Sequence, residues 1–154
     1  MTLLIRQASD ADLPRLVPMM VDFNRLEGIP WTLEKGEPAL RSLLASSELG
    51  FVGLAEVDEV TSGYFVLTFG FDLEWNGRDG FLTELYLVPE ARGRGLGRAL
   101  LGAAEATAEA RGTRALHLMV RPENARALAL YLKTGFQEPE RRLLTKPLAV
   151  RSAG

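Results

Sequence analysis

Glu84-Leu-Tyr-Leu-Val-Pro-Glu-Ala-Arg-Gly-Arg-Gly-Leu-Gly-Arg-Ala-Leu100 is the stretch on which the reading of this chain turns. Phe81 to Val88 is an apolar, β-rich run that reads as a strand, and Pro89 ends it. A turn carrying Gly93, Gly95 and Gly97 follows, and an Ala- and Leu-rich helix starts at once, from Arg98 to Arg111, stopped by Gly112. Glycines let backbone N–H groups turn towards a ligand with no Cβ in the way. The helix start adds unpaired N–H donors and the positive end of a dipole. Arg92, Arg94 and Arg98 add positive charge. Together these features make a pyrophosphate cradle; the competing reading is a solvated turn with surface arginines. Other phosphate motifs fit worse. Counted from Gly93, Arg98 stands where a Gly-x-Gly-x-x-Gly turn needs its third glycine, and no Gly-Lys-Ser/Thr is present.

Upstream, Leu3 to Gln7 reads as a first strand. Ser9 then caps a helix with Asp10 and Asp12 in its first turn, where the dipole favours anions. Leu13, Leu16, Val17, Met20 and Val21 recur at helical spacing; Pro18 should kink or shorten that helix, and Gly28 and Pro30 end it. A second short helix is expected from near Pro38. Phe51–Val57 and Gly63–Phe69 read as strands joined by a turn at Asp58 and Glu59, and the polar run Asp72–Gly80 reads as a loop. Downstream, Ala115–Val120 reads as a strand, Asn124 caps a helix to about Thr134, and Phe136 with Arg142–Leu148 completes the sheet. The order predicts an α/β (α+β) fold, a mixed sheet flanked by about four helices. No linker or repeat interrupts it, so residues 1–150 read as one domain and 151–154 as a frayed tail.

Composition narrows the function. The chain has 154 residues and no cysteine, which excludes thiol catalysis, disulfides and Cys-based zinc sites. With a single histidine, His117, poly-His metal sites and Ser-His-Asp triads are not expected, and no metal is called for. A net charge of −2 gives no overall footprint for nucleic acid or anionic membrane. There is no signal-peptide pattern and no run near the ~18 apolar residues of a membrane span, so a cytoplasmic protein is the expectation.

The glycine turn does not stand alone. Arg92-Gly-Arg-Gly-Leu-Gly97 resembles the Arg/Gln-x-x-Gly-x-Gly/Ala signature of the GNAT N-acetyltransferase superfamily, and lies between a strand and a helix as it does there. About thirty residues on, Asn124-Ala-Arg-Ala127, Leu130-Tyr131 and Gly135-Phe136 resemble the family's second signature. Ile5-Arg6-x-Ala8 with Asp10 and Asp12 resembles its usual opening. The resemblance implies a mostly antiparallel sheet in which the strands at 81–88 and 114–120 splay apart. The pantetheine arm of acetyl-CoA would enter there, along Leu85, Tyr86 and Leu87, with backbone groups of Leu85 and Leu87 bonding its amides. Arg92 and the N–H groups of Gly93, Arg94, Gly95, Leu96, Gly97 and Arg98 would hold the pyrophosphate. Asn124, Ala127 and Tyr131 would complete the contacts, Tyr131 near the sulfur. A homodimer is common in that family.

The chemistry implied is attack of an amine on a thioester. An alkyl amine, with a pKa near ~10.4, is mostly ammonium at neutral pH and needs a base. Glu84 is the matching carboxylate; its bland reading is a solvated or ion-paired strand residue. The departing thiolate needs a proton or hydrogen bond, which the phenol of Tyr131 can supply; its bland reading is a core tyrosine. The backbone N–H of Leu87 is a candidate oxyanion donor. His117, between Leu116 and Leu118, reads as a bonded structural histidine rather than a base. Tyr86 shares a face with Glu84 and so is a candidate acceptor-side residue. Trp31 and Trp75, with Asp22, Glu27, Asp72 and Glu74, fall near loops that would shape an acceptor site, although solvated acids are the simpler reading. Arg141 and Arg142 read as a solvated strand start. The expected function is acetyl transfer from acetyl-CoA to a primary amine of a small molecule or peptide in a ternary complex. The alternatives are a CoA-binding sensor or interaction module without activity, and a nucleotide-binding domain. No motif names the acceptor.

Overall fold

The computed structural model describes residues 1–150; the expected tail at 151–154 lies outside the described residues. Two compact units divide the chain, Met1–Met119 and Val120–Gly154.

The first unit runs β1 (Leu3–Gln7), α1 (Leu13–Glu27), α2 (Leu33–Leu44), β2 (Gly50–Val57), β3 (Val60–Asp72), β4 (Gly77–Leu87), α3 (Leu96–Ala110) and β5 (Ala115–Leu118). The strands form one sheet in the order β1-β2-β3-β4-β5. The first three pairings are antiparallel and β4–β5 is parallel. This is the mixed, mostly antiparallel sheet anticipated above.

Side-chain alternation sorts the two faces. Val52, Leu54, Tyr64, Val66 and Tyr86 lie on one face and pack with Leu13, Leu16, Met20 and Leu40 of α1 and α2. Phe65 and Leu67 lie on the other face, fully buried, and α3 lies against β3 and β4. Leu100, Leu101, Ala104 and Ala108 recur at helical spacing along α3 and are all buried.

Three expectations within this unit change. Pro18 does not shorten α1, which continues to Glu27, and α2 begins at Leu33 with Pro38 inside it. The run Asp72–Gly80 is a hairpin end rather than a loop. β3 and β4 stay paired out to Asp72↔Gly77 around a short 3-10 turn at Leu73–Trp75. Its polar residues are satisfied across strands: Arg78 lies over the Phe69 ring at 5.0 Å and bonds Glu48, and Asp79 meets His117. Trp31 lies in the connection between α1 and α2, as expected, and packs against their core. An added Cβ at Gly36 would lie 2.1 Å from its ring, so glycine is required there.

In the second unit, Asn124 precedes α4 (Ala125–Lys133), and its side chain accepts from the Ala127 N–H at 3.2 Å. Residues 136–150 carry no strand, contrary to the expectation for Phe136 and Arg142–Leu148. Leu143, Leu144 and Leu148 are exposed. Pro139 and Pro147 remove two ladder donors from the segment.

β1 is tied to α1 by charge. Arg6 donates to both oxygens of Asp12, at 2.9 and 2.7 Å, and reaches Glu56 at 3.2 Å. Asp12 also accepts the Ser9 N–H at 2.9 Å and is only 2% exposed. The Arg6 hydrogen bonds hold its carboxyl well below the usual aspartate range, against the effect of burial. The depressed pKa sets the sign: the stabilisation is complete above the ordinary aspartate pKa, near ~3.9, and fades as the pH falls below it. Asp12→Ala should therefore cost about 2 kcal/mol at neutral pH. Thermal melts should show that deficit shrinking towards pH 3.

Candidate active site

β4 is paired unequally on its two sides. Against β3 it is paired from Gly77 to Leu87, whereas β5 reaches only Asp79, Gly80, Phe81 and Leu82. Beyond Leu82 the β5 side of β4 has no strand partner among the described residues, and this is the expected splay. The hydrogen-bond parity shows what that edge presents. Val88 donates to Ser62 of β3 at 2.9 Å, so by alternation Tyr86 and Glu84 also turn their backbone groups to β3. Leu85 and Leu87 turn theirs outward, as a strand-like ligand requires. The carbonyl of Leu87 accepts a hydrogen bond from Arg92 Nε at 2.9 Å.

A β-bulge sets the side chains of the same strand. Leu67 faces Leu82, but Val66 faces Glu84, so Thr83 is the extra residue. In a regular strand Leu82 and Glu84 would share a face. The bulge turns Glu84 away from α3, onto the face that also carries Tyr64, Tyr86 and Phe81. There Glu84 is half-buried, and Tyr64 Oη donates to its Oε1 at 2.8 Å. Burial raises the Glu84 pKa above the usual carboxylate range, and the Tyr64 hydrogen bond opposes the rise. Burial foremost, with the Glu84 charge, pushes the Tyr64 phenol far upward, so it remains a donor at any working pH.

Tyr86 is buried beside Tyr64, ring centroids 5.7 Å apart, and donates to Asp22 of α1. Burial and that bond push its phenol up to about 12. The Tyr86 and Arg25 bonds lower the Asp22 pKa. Asp22 is thus a helix residue with two partners rather than a free loop carboxylate. His117 Nε2 lies 3.2 Å from Asp79 Oδ2, and its ring meets Phe81 at 5.0 Å. Trp75 lies 6.4 Å from that ring.

Past β4, Pro89–Ala91 makes a short 3-10 turn and the glycine turn leads into α3. Gly93 and Gly95 have φ of 75° and 76°, a left-handed region that disfavours side chains. No atom lies within 4 Å of where a Cβ would stand on either one. The first intrahelical bond of α3 runs from Ala99 N–H to Gly95 O at 3.3 Å, so the N–H groups of Leu96, Gly97 and Arg98 have no carbonyl one turn back. These donors fit an anion. The Leu96 side chain instead fills a small core with Val57 and Ala91, so only its backbone is free for a ligand. Of the three arginines, Arg98 is exposed on α3, Arg94 contacts Met1, and Arg92 lies 5.5 Å over the Tyr86 ring. Arg92 is thus held at the end of β4 by the Leu87 carbonyl and the Tyr86 ring.

Within the second unit, the Asn124 side-chain oxygen caps α4, a local use that its expected cofactor role did not include. Ala127 supplies the capped N–H. Tyr131 is half-buried and meets Phe136 edge-on at 5.8 Å.

Sequence reasoning missed Tyr64 altogether. Its signal was present as an aromatic in an apolar strand, but pairing it with Glu84 requires the β3–β4 register.

The acetyltransferase (GNAT) family profile matches residues 17–136. The chain belongs to this family, and it is an acyltransferase. The uncharacterised N-acetyltransferase YhfO of Bacillus subtilis is 29% identical over 134 residues, covering 87% of this chain and 89% of that protein. The thialysine N-ε-acetyltransferase of Bos taurus is 27% identical over 145 residues, covering 88% and 84%. Among solved structures, an integron cassette protein from the mobile metagenome of Cole Harbour Salt Marsh superposes with a TM-score of 0.82 at 33% identity. That match covers 96% of this chain and 91% of the other. Solved neighbours of this fold hold CoA or acetyl-CoA.

The turn geometry separates two glycines. Gly95→Ala places a side chain in the left-handed region and should cost roughly 1–2 kcal/mol. At Gly97 a Cβ would lie 3.9 Å from Leu87 Cδ1, an ordinary contact. Gly97→Ala should leave the melting temperature unchanged or slightly raised, and denaturant titration of both variants checks the difference.

Proposed function

We propose that this protein transfers the acetyl group of acetyl-CoA to a primary amine of a small molecule or peptide, by direct attack in a ternary complex. The observation that carries the reading is the convergence on β4. One strand presents outward backbone groups at Leu85 and Leu87, runs into a turn of anion-seeking N–H donors, and holds a half-buried carboxylate at Glu84. The outward groups suit the pantetheine amides, and Gly93 to Arg98 suit the pyrophosphate. Asn124, Ala127 and Tyr131 are assigned to the cofactor on the second signature.

In the reaction Glu84 accepts a proton from the substrate ammonium, directly or through water, freeing the nitrogen lone pair. The nitrogen attacks the thioester carbonyl, the C–N bond forms and the C–S bond breaks. The carbonyl oxygen carries negative charge during attack, and the outward N–H of Leu87 is positioned to receive it. Tyr131 gives its proton to the departing thiolate, and the attacking nitrogen sheds its second proton through water, which restores the phenol and leaves a neutral amide. A carboxylate whose pKa burial raises is a better proton acceptor than an ordinary surface glutamate, which favours an enzyme over a silent CoA-binding module.

Calorimetric titration with acetyl-CoA, with ATP and NAD as controls, tests the cofactor. Selective micromolar binding is expected; no binding by the folded protein removes the reading. Gly95→Ala should weaken acetyl-CoA at least about tenfold while Gly97→Ala keeps it, because backbone approach is needed at position 95. With an amine panel and a thiol-release assay, Glu84→Gln should lose about 10²-fold in kcat/KM together with the acid limb of the pH profile. Tyr131→Phe should slow transfer far more than it weakens acetyl-CoA binding. Binding without turnover of any amine would leave the sensor module as the function.

A further inference from the structure

Glu84 is the base in the reading above, and the inference drawn here rests on that reading. On its own strand Glu84 has no neighbour that orients it. The side chain that does so comes from β3. Tyr64 is fully buried, with its ring fixed beside Tyr86 and inside the α1–α2 core, and the Oη–Oε1 distance is 2.8 Å. Register makes the two residues diagonal neighbours: Tyr64 faces Tyr86, Val66 faces Glu84, and ordinary alternation from Tyr86 puts Glu84 on the face of Tyr64. Oε2 has no donor among the described residues.

We propose that Tyr64 is a positioning residue for acetyl transfer, its phenol gripping one oxygen of the Glu84 carboxylate and leaving the other aimed at the incoming amine. The hydrogen bond goes to the ionised form of Glu84, so it also counters what burial does to that group. Tyr64 performs this without titrating, because its own phenol is held far above the usual range. The other charged groups facing this surface are already engaged. Asp22 on α1 is held by Tyr86 and Arg25, Arg92 lies over the Tyr86 ring, and Asp79 of β4 meets His117 of β5. Tyr64 is therefore, among the described residues, the neighbour whose removal leaves the half-buried Glu84 with no protein donor.

The test compares pH profiles of kcat/KM for four proteins with the best amine found by thiol release: wild type, Tyr64→Phe, Glu84→Gln and the double variant. Tyr64→Phe keeps the ring that packs the core and removes one oxygen. Its acid limb should move up by about one pH unit, a roughly tenfold loss of kcat/KM below the limb. The acetyl-CoA Kd should be unchanged. In the Glu84→Gln background, adding Tyr64→Phe should change nothing further. A limb that stays in place in Tyr64→Phe while Glu84→Gln abolishes it overturns the role of Tyr64 and leaves Glu84 as base, even if the melting temperature drops. A limb that survives Glu84→Gln overturns both. Incorporation of 3-fluorotyrosine, a stronger donor, reverses the sign and covers the case in which Tyr64→Phe does not fold: the limb should then move down, and an unmoved limb overturns the proposal.

Discussion

The first unit is organised by a strand that has to be paired along its whole length on one side and along only part of it on the other. β4 spends its outer half between two neighbours and its inner half, Thr83 to Leu87, with β3 alone. An unpaired strand edge inside a sheet is costly unless something satisfies its N–H and C=O groups. Arg92 meets one of these at the Leu87 carbonyl. The others are available to a ligand that runs like a strand. The turn after β4 then sends the chain into α3, whose first N–H groups have no carbonyl partner one turn back.

A second constraint is the bulge at Thr83. One inserted residue changes the parity of β4, so that Leu82 feeds the α3 side of the core while Glu84 faces the α1–α2 side. A carboxylate on the α3 side would be buried in hydrocarbon with no donor. On the other side it meets a phenol already anchored by packing. The aromatic pair Tyr64 and Tyr86 does two jobs there: the rings fill the core and each hydroxyl holds an acid, Glu84 and Asp22 respectively. The acids are thereby fixed by elements whose own positions are set by apolar burial. The charge cluster of Arg6, Asp12 and Glu56 holds β1, β2 and the start of α1 in the same way, at the far side of the sheet from β5.

What could be read from the amino-acid order alone was whatever depends on near neighbours in sequence. The strand before Pro89, the glycine turn, α3 ending before Gly112 and the capped α4 all follow from local periodicity and backbone preference, and the structure has each of them. Glu84 and the backbone of Leu85 and Leu87 are legible through the family resemblance, and alternation along the strand puts Tyr86 on the face of Glu84. The departures have a common cause. Arg78 and Asp79 looked like loop because their polarity is satisfied only by Phe69, Glu48 and His117, which lie elsewhere in the chain. Residues 142–148 looked like a strand because apolar residues suggest burial, but a strand also needs a partner, and sequence does not supply one. The contacts of Arg92 with the Leu87 carbonyl and the Tyr86 ring likewise come only with the fold.

The sequence by itself thus determined the family and singled out the glycine turn and Glu84 as candidates, since these rest on local motifs whose geometry their own backbone sets. Only the tertiary structure decided which face Glu84 looks towards and what holds it there. Those depend on the register between β3 and β4, which sets Tyr64 opposite Tyr86 and Val66 opposite Glu84. Register is a relation between segments rather than a property of either one, so Tyr64 and Glu84, twenty residues apart, become partners only when the sheet forms.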